Sequence, residues 1–197
     1  MSKFRKLALD SIEYALSALA SEGVYYPKVV VFGGAVFALA LEKVGEAIYQ
    51  TRDIDLLLES PADLDEINLA FLRFRRAHPD EVEVVIKFEA RMLVPLRKEL
   101  FPVEFVRPSK PRVQDLFRYT YHNAREELGK LEIRSKPVVV HLAKLEDSIL
   151  CKLAAGRKKD TDQLRRILPK LNVDQNYLRE TAKRFGVSLL PVSRTKL

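Results

Sequence analysis

The chain carries two neighbouring segments that decide its fold, residues 28–44 with the sequence KVVVFGGAVFALALEKV and residues 51–58 with the sequence TRDIDLLL. The β-branched run before the two glycines predicts a strand, and the run rich in alanine and leucine after them predicts a helix. The second segment predicts another strand. Because side chains alternate along a strand, we expect Asp53 and Asp55 on one face of that strand, with Ile54 between them.

The setting of this acidic pair is more informative than its spacing. Two acids separated by one residue occur about as often as composition alone predicts, at four places: Asp53/Asp55, Asp63/Asp65, Glu81/Glu83 and Asp160/Asp162. Only the first pair opens a run of leucines on a predicted core strand. Two like charges buried side by side are costly unless a cation neutralises them, and neighbouring carboxylates suit Mg²⁺ or Mn²⁺. The pair is therefore a candidate metal site.

Gly33 and Gly34 fall at the predicted turn between strand and helix. Glycine there lets backbone N–H groups approach a phosphate closely, and the N-terminus of the following helix favours negative charge. If the two predicted strands pair, this turn lies beside the acidic pair, and a phosphate and a metal ion would share one site. The alternative is a tight turn without a ligand, because short glycine motifs often occur without one.

The remaining elements predict an α/β or α+β core followed by an all-helical C-terminal part. A first amphipathic helix is expected at 6–19 and ends before Gly23. The later expectations are helices at 35–44, 63–76 and 113–128, strands at 82–88 and 101–106, an extended segment at 131–140, and two or three helices from residue 142 onward. We accordingly expect a core at residues 1–140 and a basic helical subdomain at 141–197.

The net charge of +7 is concentrated at the C-terminal end of the chain. Residues 151–197 contain twelve Lys or Arg and four Asp or Glu, whereas residues 1–150 contain 22 and 23. A one-sided basic region attracts polyanions, so nucleic acid or a nucleotide is the expected class of partner. The alternative is a solvated helical surface, because charge runs are common on exposed helices.

The cysteine and histidine content excludes several kinds of site. A single cysteine, Cys151, rules out an internal disulfide and a cysteine-based metal cluster. The histidines His78, His122 and His141 lack metal-ligand spacing, and we expect them to be surface or packing residues. The most apolar stretch, at 28–41, is too short to span a bilayer, so we expect a cytoplasmic protein without membrane contact. The low content of Asn, Gln and Cys is typical of thermophilic proteins.

Two segments of the chain resemble known nucleotidyltransferases. Gly33-Gly34, followed by TRDIDL at residues 51–56, resembles the signature of the polymerase-beta-type nucleotidyltransferase superfamily. The sequence LEDSILCKLAAGRKKD at residues 145–160 is similar to the segment after the catalytic core in abortive-infection (AbiEii-like) toxin-type nucleotidyltransferases and in uncharacterised prokaryotic relatives. The resemblance implies a small mixed β-sheet nucleotidyltransferase core, flanked by helices, over residues 28–107.

The resemblance also implies a metal site with three carboxylates. Asp53 and Asp55 would hold one or two Mg²⁺ or Mn²⁺ ions that bridge the phosphates of a nucleoside triphosphate (NTP). The third carboxylate of the family lies on a later core strand between apolar residues, and Glu104 in the run VEFV fits best. Glu89, at the end of the run VVIKFE, is the second choice. For either glutamate the alternative is an acid that faces water on an edge strand.

A nucleotide-binding set follows from the same resemblance. It consists of Gly33, Gly34, Thr51, Arg52, Lys152, Arg157 and Asp160. Lys152 and Arg157 would lie near the phosphates, with Asp160 pairing with one of them to orient it; the alternative for Lys152 is a lysine of the helix surface. The chain departs from its relatives twice. Gly34 stands where many have serine, and Asp162 stands one residue early for the last acid of a Lys-Asp-x-x-Asp pattern.

The expected function is transfer of a nucleoside monophosphate from an NTP to a hydroxyl acceptor. The basic C-terminal part favours tRNA or another RNA as that acceptor, and a toxin of a toxin–antitoxin pair, with an antitoxin as partner, is one version of this function. Two alternatives stay open. One is a catalytically inactive nucleotidyltransferase-like module that binds a nucleotide or nucleic acid. The other is a nucleic-acid-binding protein whose basic helices do the binding while the acidic strand is structural.

Overall fold

The computed structural model describes residues 2–46, 51–59 and 64–189, which contain one mixed sheet and seven α-helices. The elements in chain order are α1 (Lys3–Ser21), β1 (Lys28–Phe32), α2 (Gly34–Lys43), β2 (Ile54–Leu57), α3 (Leu64–Ala77), β3 (Val82–Lys87), β4 (Ala90–Pro95), β5 (Val103–Val106), α4 (Pro111–Asn123), β6 (Glu126–Ile133), β7 (Lys136–Leu142), α5 (Leu145–Ala155), α6 (Lys158–Ile167) and α7 (Gln175–Phe185). This architecture confirms the expected mixed α/β class with a helical C-terminal part.

The sheet places β2 and β1 near its centre. The strand order is β3-β4-β5-β2-β1-β7-β6, in which β1/β7 and β2/β5 are parallel pairs and the other neighbours are antiparallel. Val29, Val30 and Val31 of β1 are fully buried, so both faces of this strand are covered. Side chains next to β1 and β2 can therefore be held away from water.

The helices enclose this sheet and pack against one another. α1 contacts α3 and β6, while α2 begins directly after the glycine turn, lies against β1 and β2, and contacts α5. α5 also packs against α4, α6 and α7, and its Ile149 and Leu150 belong to the same hydrophobic core as β1. The predicted border between residues 140 and 141 lies within β7, and the division into two domains stays a prediction.

None of the helices in the described residues has the length and hydropathy needed to cross a bilayer.

Three differences from the sequence expectation concern the strands β4, β6 and β7. β4 was not expected, and it pairs with β3 and β5 although buried and exposed positions do not alternate strictly along it. The helix expected at 113–128 ends at Asn123, because β6 begins at Glu126 and its Glu126 and Glu127 pair with β7. The extended segment expected at 131–140 is two paired strands joined by a turn at Arg134 and Ser135, whose φ angles are 51° and 60°. In each case strand pairing, which a local pattern does not contain, determines the conformation.

Candidate active site

Asp55 is placed by the pairing of three strands. It lies in β2, where its register partners are Phe32 on β1 and Glu104 on β5. Because register partners share a face of the sheet, the Asp55 and Glu104 side chains leave it on the same side. The alternating neighbours Ile54 and Leu56 are fully buried. The sheet thus brings together two carboxylates that are far apart in the chain.

Asp53 lies just before β2 rather than within it. The expected strand at 52–58 begins only at Ile54, whose backbone N–H donates to the carbonyl of Pro102 at 2.8 Å. The Asp53 carbonyl instead accepts a hydrogen bond from the Thr51 hydroxyl at 2.8 Å, within a bend. Asp53 therefore lies in the bend and not in the expected strand, but its carboxylate still lies close to that of Asp55.

Three carboxylates converge here, and we call Asp53, Asp55 and Glu104 the acidic triad. One carboxylate oxygen from each side chain lies within 4.8 Å of the others. Glu104 is buried and the two aspartates are half-buried. Glu89, the second choice for the third carboxylate, lies in the turn between β3 and β4, where it accepts a hydrogen bond from the backbone N–H of Ser109 at 2.6 Å. Hydrogen bonding to Ser109 holds the pKa of Glu89 below its usual range, and Glu89 does not belong to the triad.

The carboxylates of the acidic triad repel one another. Burial first, and then the charges of Asp53 and Glu104, raise the pKa of Asp55 from its usual value of 3.8 to about 7. The charges of Lys152 and Arg157 lower the pKa of Asp55 but do not cancel this rise. The surrounding residues therefore leave Asp55 incompletely neutralised.

The donor set of the acidic triad fits a hard divalent cation. All three side chains offer oxygen, the ligand that Mg²⁺ and Mn²⁺ prefer, and the triad contains neither histidine nor cysteine. A divalent cation would also offset the repulsion that raises the pKa of Asp55. The acidic triad could therefore hold Mg²⁺ or Mn²⁺.

The glycine turn packs directly against the acidic triad. Gly33 has a φ of +66°, and a Cβ at this position would lie 2.5 Å from Oδ2 of Asp55. Glycine is thus required at position 33 by the backbone and by the approach of the carboxylate. A Cβ at Gly34 would lie 2.5 Å from Oγ1 of Thr51. The Thr51 hydroxyl therefore fills the space that a serine at position 34 would need, which explains the first departure from the relatives.

A second group of charges, the Asp160 cluster, consists of Lys152, Arg157 and Asp160. The Asp160 residue is only 2% exposed, and its carboxylate accepts hydrogen bonds from Nζ of Lys152 at 3.1 Å and from Nε of Arg157. The Lys152 side chain is 11% exposed, so it is not a solvated lysine of the helix surface. Asp162 instead faces outward, 3.4 Å from Arg165.

Residues of the acidic triad and of the Asp160 cluster line one cavity of about 340 Å³, a size typical of small-molecule sites. The lining residues that matter below are Gly33, Asp55, Lys87, Phe88, Glu104, Lys110, Lys152 and Arg157. Nζ of Lys87 donates to Oε1 of Glu104 at 2.7 Å, so one lysine contacts the triad directly. The sequence did not single out Lys87, Phe88 or Lys110, because no motif surrounds them and their neighbours in the cavity come from other elements.

The other predicted residues lie outside the acidic triad and the Asp160 cluster. Thr51 is buried in the bend, and Arg52 is exposed beside it. His78 stacks on the Phe74 ring at 4.4 Å between centroids. Asp63, from another of the four acidic pairs, lies outside the described residues. The nucleotide-binding roles expected of the individual side chains stay predictions.

A family model described as "Nucleotidyltransferase of unknown function (DUF6036)" matches residues 8–188. A comparison with curated proteins gives no match. Solved structures similar to this chain include an antigenic nucleotidyltransferase-like protein from Paracoccidioides brasiliensis, with 18% identity, a TM-score of 0.42 and coverage of 90% of this chain and 88% of that chain.

Two further solved structures are similar over a smaller share of their own length. The Megavirus polyadenylate synthase has 16% identity and a TM-score of 0.41, with coverage of 87% of this chain and 33% of that chain. Terminal uridylyl transferase 4 from Trypanosoma brucei, with bound GTP, has 14% identity and a TM-score of 0.35, with coverage of 58% and 35%. Likenesses of this size assign no substrate and no role to a residue.

Proposed function

Because the chain belongs to the family "Nucleotidyltransferase of unknown function (DUF6036)", which matches residues 8–188, we propose that it transfers a nucleoside monophosphate from an NTP to a hydroxyl of an RNA acceptor. The observation that carries the proposal is the acidic triad, whose three carboxylates lie within 4.8 Å of one another beside a cavity. Such an oxygen-rich site suits metal-dependent phosphoryl chemistry.

The acidic triad is the proposed metal site, and a divalent cation held there would offset the negative charge of the triphosphate. The raised pKa of Asp55 supports this assignment, because the surrounding residues leave repulsion that a cation would remove. Asp53 precedes Asp55 in the chain and Glu104 is the register partner of Asp55 on β5, so these three side chains would hold the ion.

The glycine turn and the bend before β2 are the proposed phosphate-binding segments. Gly33 and Gly34 open α2, where backbone N–H groups and the helix dipole favour an anion. Thr51 would act by holding the bend that carries Asp53, and the exposed Arg52 would reach the phosphates from the same bend.

The cations of the Asp160 cluster are proposed to stabilise the charge that moves during transfer. Lys152 and Arg157 line the cavity, and Asp160 holds both of them. Because these donors are already fixed by hydrogen bonds, little reorganisation is needed when the substrate reacts.

A second groove supports RNA as the acceptor. It lies between the start of α4 and the ends of α5 and α7, has a volume of about 590 Å³, and shares Lys110 and Val113 with the first cavity. Arg112 lines this groove, and a neighbouring surface pocket adds Lys183 and Arg184. Clustered Lys and Arg side chains bind the phosphate backbone of nucleic acids. We therefore place the acceptor strand along this groove.

The test of the catalytic proposal is a metal-dependent transfer assay. The protein is incubated with Mg²⁺ or Mn²⁺, each labelled NTP in turn, and a total-RNA or tRNA pool. We expect label transfer by the wild type and a loss on the order of 10³-fold in Asp53→Asn/Asp55→Asn. The matched control is Glu81→Gln/Glu83→Gln, which neutralises an equally spaced acidic pair at the start of β3 and should keep the wild-type rate.

Absence of transfer with every nucleotide would overturn the catalytic proposal. Metal-dependent nucleotide binding without transfer would instead favour the inactive binding module.

The acceptor groove is tested separately with Arg112→Ala/Lys183→Ala. We expect transfer to RNA to fall several-fold and to depend less steeply on salt, since each lost phosphate contact reduces the salt slope by about 1. The KM for the NTP should not change. Arg75→Ala/Arg76→Ala on the exposed end of α3 removes the same charge as a control. Equal effects of the two variants would mean that net charge, and not the groove, attracts the acceptor.

The likeness of residues 145–160 to abortive-infection toxin-type enzymes supports a finer version of the proposal, in which transfer to tRNA arrests growth and an antitoxin binds the protein. Expression in a bacterial host tests it. We expect growth arrest by the wild type and normal growth with Asp53→Asn/Asp55→Asn. Equal growth of the two cultures would overturn the toxin role and leave the transfer reaction untouched.

A further inference from the structure

Phe88 lies at the tip of a hairpin. Phe88 and Glu89 form the two-residue turn between β3 and β4, since Lys87 pairs with Ala90 across the hairpin. Phe88 is 90% exposed, more than any other large apolar residue in the described part of the chain. Single exposed apolar residues are common on protein surfaces. The position of this one distinguishes it, because Phe88 also lines the cavity that contains Asp55 and Glu104.

Lys87, which precedes Phe88, is held in place by two hydrogen bonds. Nζ of Lys87 donates to Oε1 of Glu104 at 2.7 Å, and the Lys87 carbonyl accepts a hydrogen bond from Nη1 of Arg91 at 2.7 Å. The Lys87 side chain is thus tied to a member of the acidic triad and its backbone to β4.

The chain on the C-terminal side of Phe88 is anchored as well. The backbone N–H of Arg107 donates to the Glu89 carbonyl at 2.6 Å, and the backbone N–H of Ser109 donates to Oε1 of Glu89 at 2.6 Å. Phe88 therefore projects from a turn that is held on both sides. A ring presented in this way loses little conformational freedom when it meets a ligand.

The charged part of the cavity suits the phosphates of a nucleotide, and the part that contains Phe88 suits its base. Asp55, Glu104 and the cations Lys152 and Arg157 form this charged part, which suits phosphates and their metal ion. Phe88 is an exposed aromatic residue that lines the same cavity. Aromatic side chains bind nucleobases by stacking, and every base offers a π-face for this contact.

We propose that the Phe88 ring stacks on the nucleobase of the incoming NTP. The inference rests on the proposed function for the identity of the ligand, and it goes further by assigning base recognition to the β3–β4 turn. Since stacking alone does not read hydrogen-bond donors and acceptors, the Phe88 contact requires a base but tolerates different bases.

The chain contains no tryptophan, so Phe88→Trp introduces a single indole reporter at the proposed contact. We expect an NTP with Mg²⁺ to quench the fluorescence of this variant, and inorganic tripolyphosphate with Mg²⁺ to leave it nearly unchanged. The matched control is Ile86→Trp, because Ile86 is half-exposed on the same hairpin but does not line the cavity. Ile86→Trp should respond to neither ligand.

Calorimetric titration of Phe88→Ala provides the second measurement. Its affinity for an NTP should fall about ten-fold, and its affinity for tripolyphosphate should equal that of the wild type. Equal quenching of Phe88→Trp by NTP and tripolyphosphate, quenching by RNA alone, or unchanged NTP affinity in Phe88→Ala would overturn the inference.

These measurements are independent of turnover. If no transfer is found but NTP binding depends on Phe88, the proposed reaction fails and the base contact stands. If transfer occurs and Phe88→Ala binds the NTP like the wild type, the base contact fails and the reaction stands.

Discussion

Asp55 and Glu104 of the acidic triad line the same cavity as Lys152 and Arg157 of the Asp160 cluster, but only the Asp160 cluster contains enough positive charge to neutralise its carboxylate. In the triad, burial and the neighbouring acids raise the pKa of Asp55 to about 7. In the Asp160 cluster, one buried carboxylate accepts hydrogen bonds from two cations. Asp160 thus fixes two cations beside the cavity, whereas Asp55 keeps a repulsion that a bound cation would offset.

Removal of the Asp160 carboxylate should have the largest effect on stability, because it takes away the acceptor that Lys152 and Arg157 share. Asp160→Ala leaves the nearly buried Lys152 without its carboxylate, so we expect a loss of about 3–5 kcal/mol in the free energy of unfolding. Urea denaturation at pH 7 measures it. Asp162→Ala removes an exposed acid from the same helix and should cost less than about 0.5 kcal/mol. Equal stability of the two variants would mean that the Asp160 cluster does not depend on its buried carboxylate.

The next largest effect on stability is expected when a side chain is added at Gly33, beside the acidic triad. Gly33→Ala places a side chain on a residue with a φ of +66° and a Cβ 2.5 Å from Oδ2 of Asp55, so we expect a loss of about 2 kcal/mol and weaker Mn²⁺ binding. Gly23→Ala is the control, because Gly23 has a φ of +86° but nothing lies within 4 Å of its added Cβ. Denaturation and metal titration should show that only Gly33→Ala affects the metal.

The pH dependence of stability probes the charge of Asp55 itself. Its pKa is higher in the folded protein, about 7, than its usual 3.8, so the folded state binds the proton more tightly. The contribution of Asp55 to stability therefore falls as the pH rises from about 4 to about 7, with a slope of up to about 1.4 kcal/mol per pH unit, and stays level above that range.

Thermal or urea denaturation of the metal-free protein across this pH range measures the slope. Asp55→Asn should remove it, whereas Glu83→Gln, an exposed acid of β3, should retain it. Saturating Mg²⁺ should flatten the slope of the wild type. An unchanged slope in Asp55→Asn would show that the triad is neutralised within the protein.

The smallest effect is expected from Lys87, which contacts the triad through Glu104. The Lys87 side chain is 45% exposed, so Lys87→Met should change the free energy of unfolding by less than about 1 kcal/mol in urea denaturation. A loss as large as that of Asp160→Ala would mean that Lys87 neutralises the triad, and the two groups would then differ only in degree.

The sequence pattern predicted helices and strands correctly where their conformation depends on nearby residues in the chain. The helix expected at 6–19 is observed as Lys3–Ser21, and the strand at 28–32 and the glycine turn after it lie as expected. β4 and the strand residues at 126–128 were missed, because their conformation depends on pairing with other strands. Asp53 was assigned to the strand, since the pattern does not reveal the hydrogen bond from the Thr51 hydroxyl.

The sequence by itself determined the strand–turn–helix at Gly33, the acidic pair that follows it in the chain and the basic helical end, because hydrophobic periodicity, glycine conformation and charge composition are local properties. Only the tertiary structure decided that Glu104 and not Glu89 lies beside Asp55, since the register of β2 on β5 sets that distance. The packing of α5 and α6 likewise buried Asp160 between two cations, and a hairpin turn carried Phe88 to the cavity. Contacts between elements that are distant in the chain set these positions, and a one-dimensional pattern does not record them.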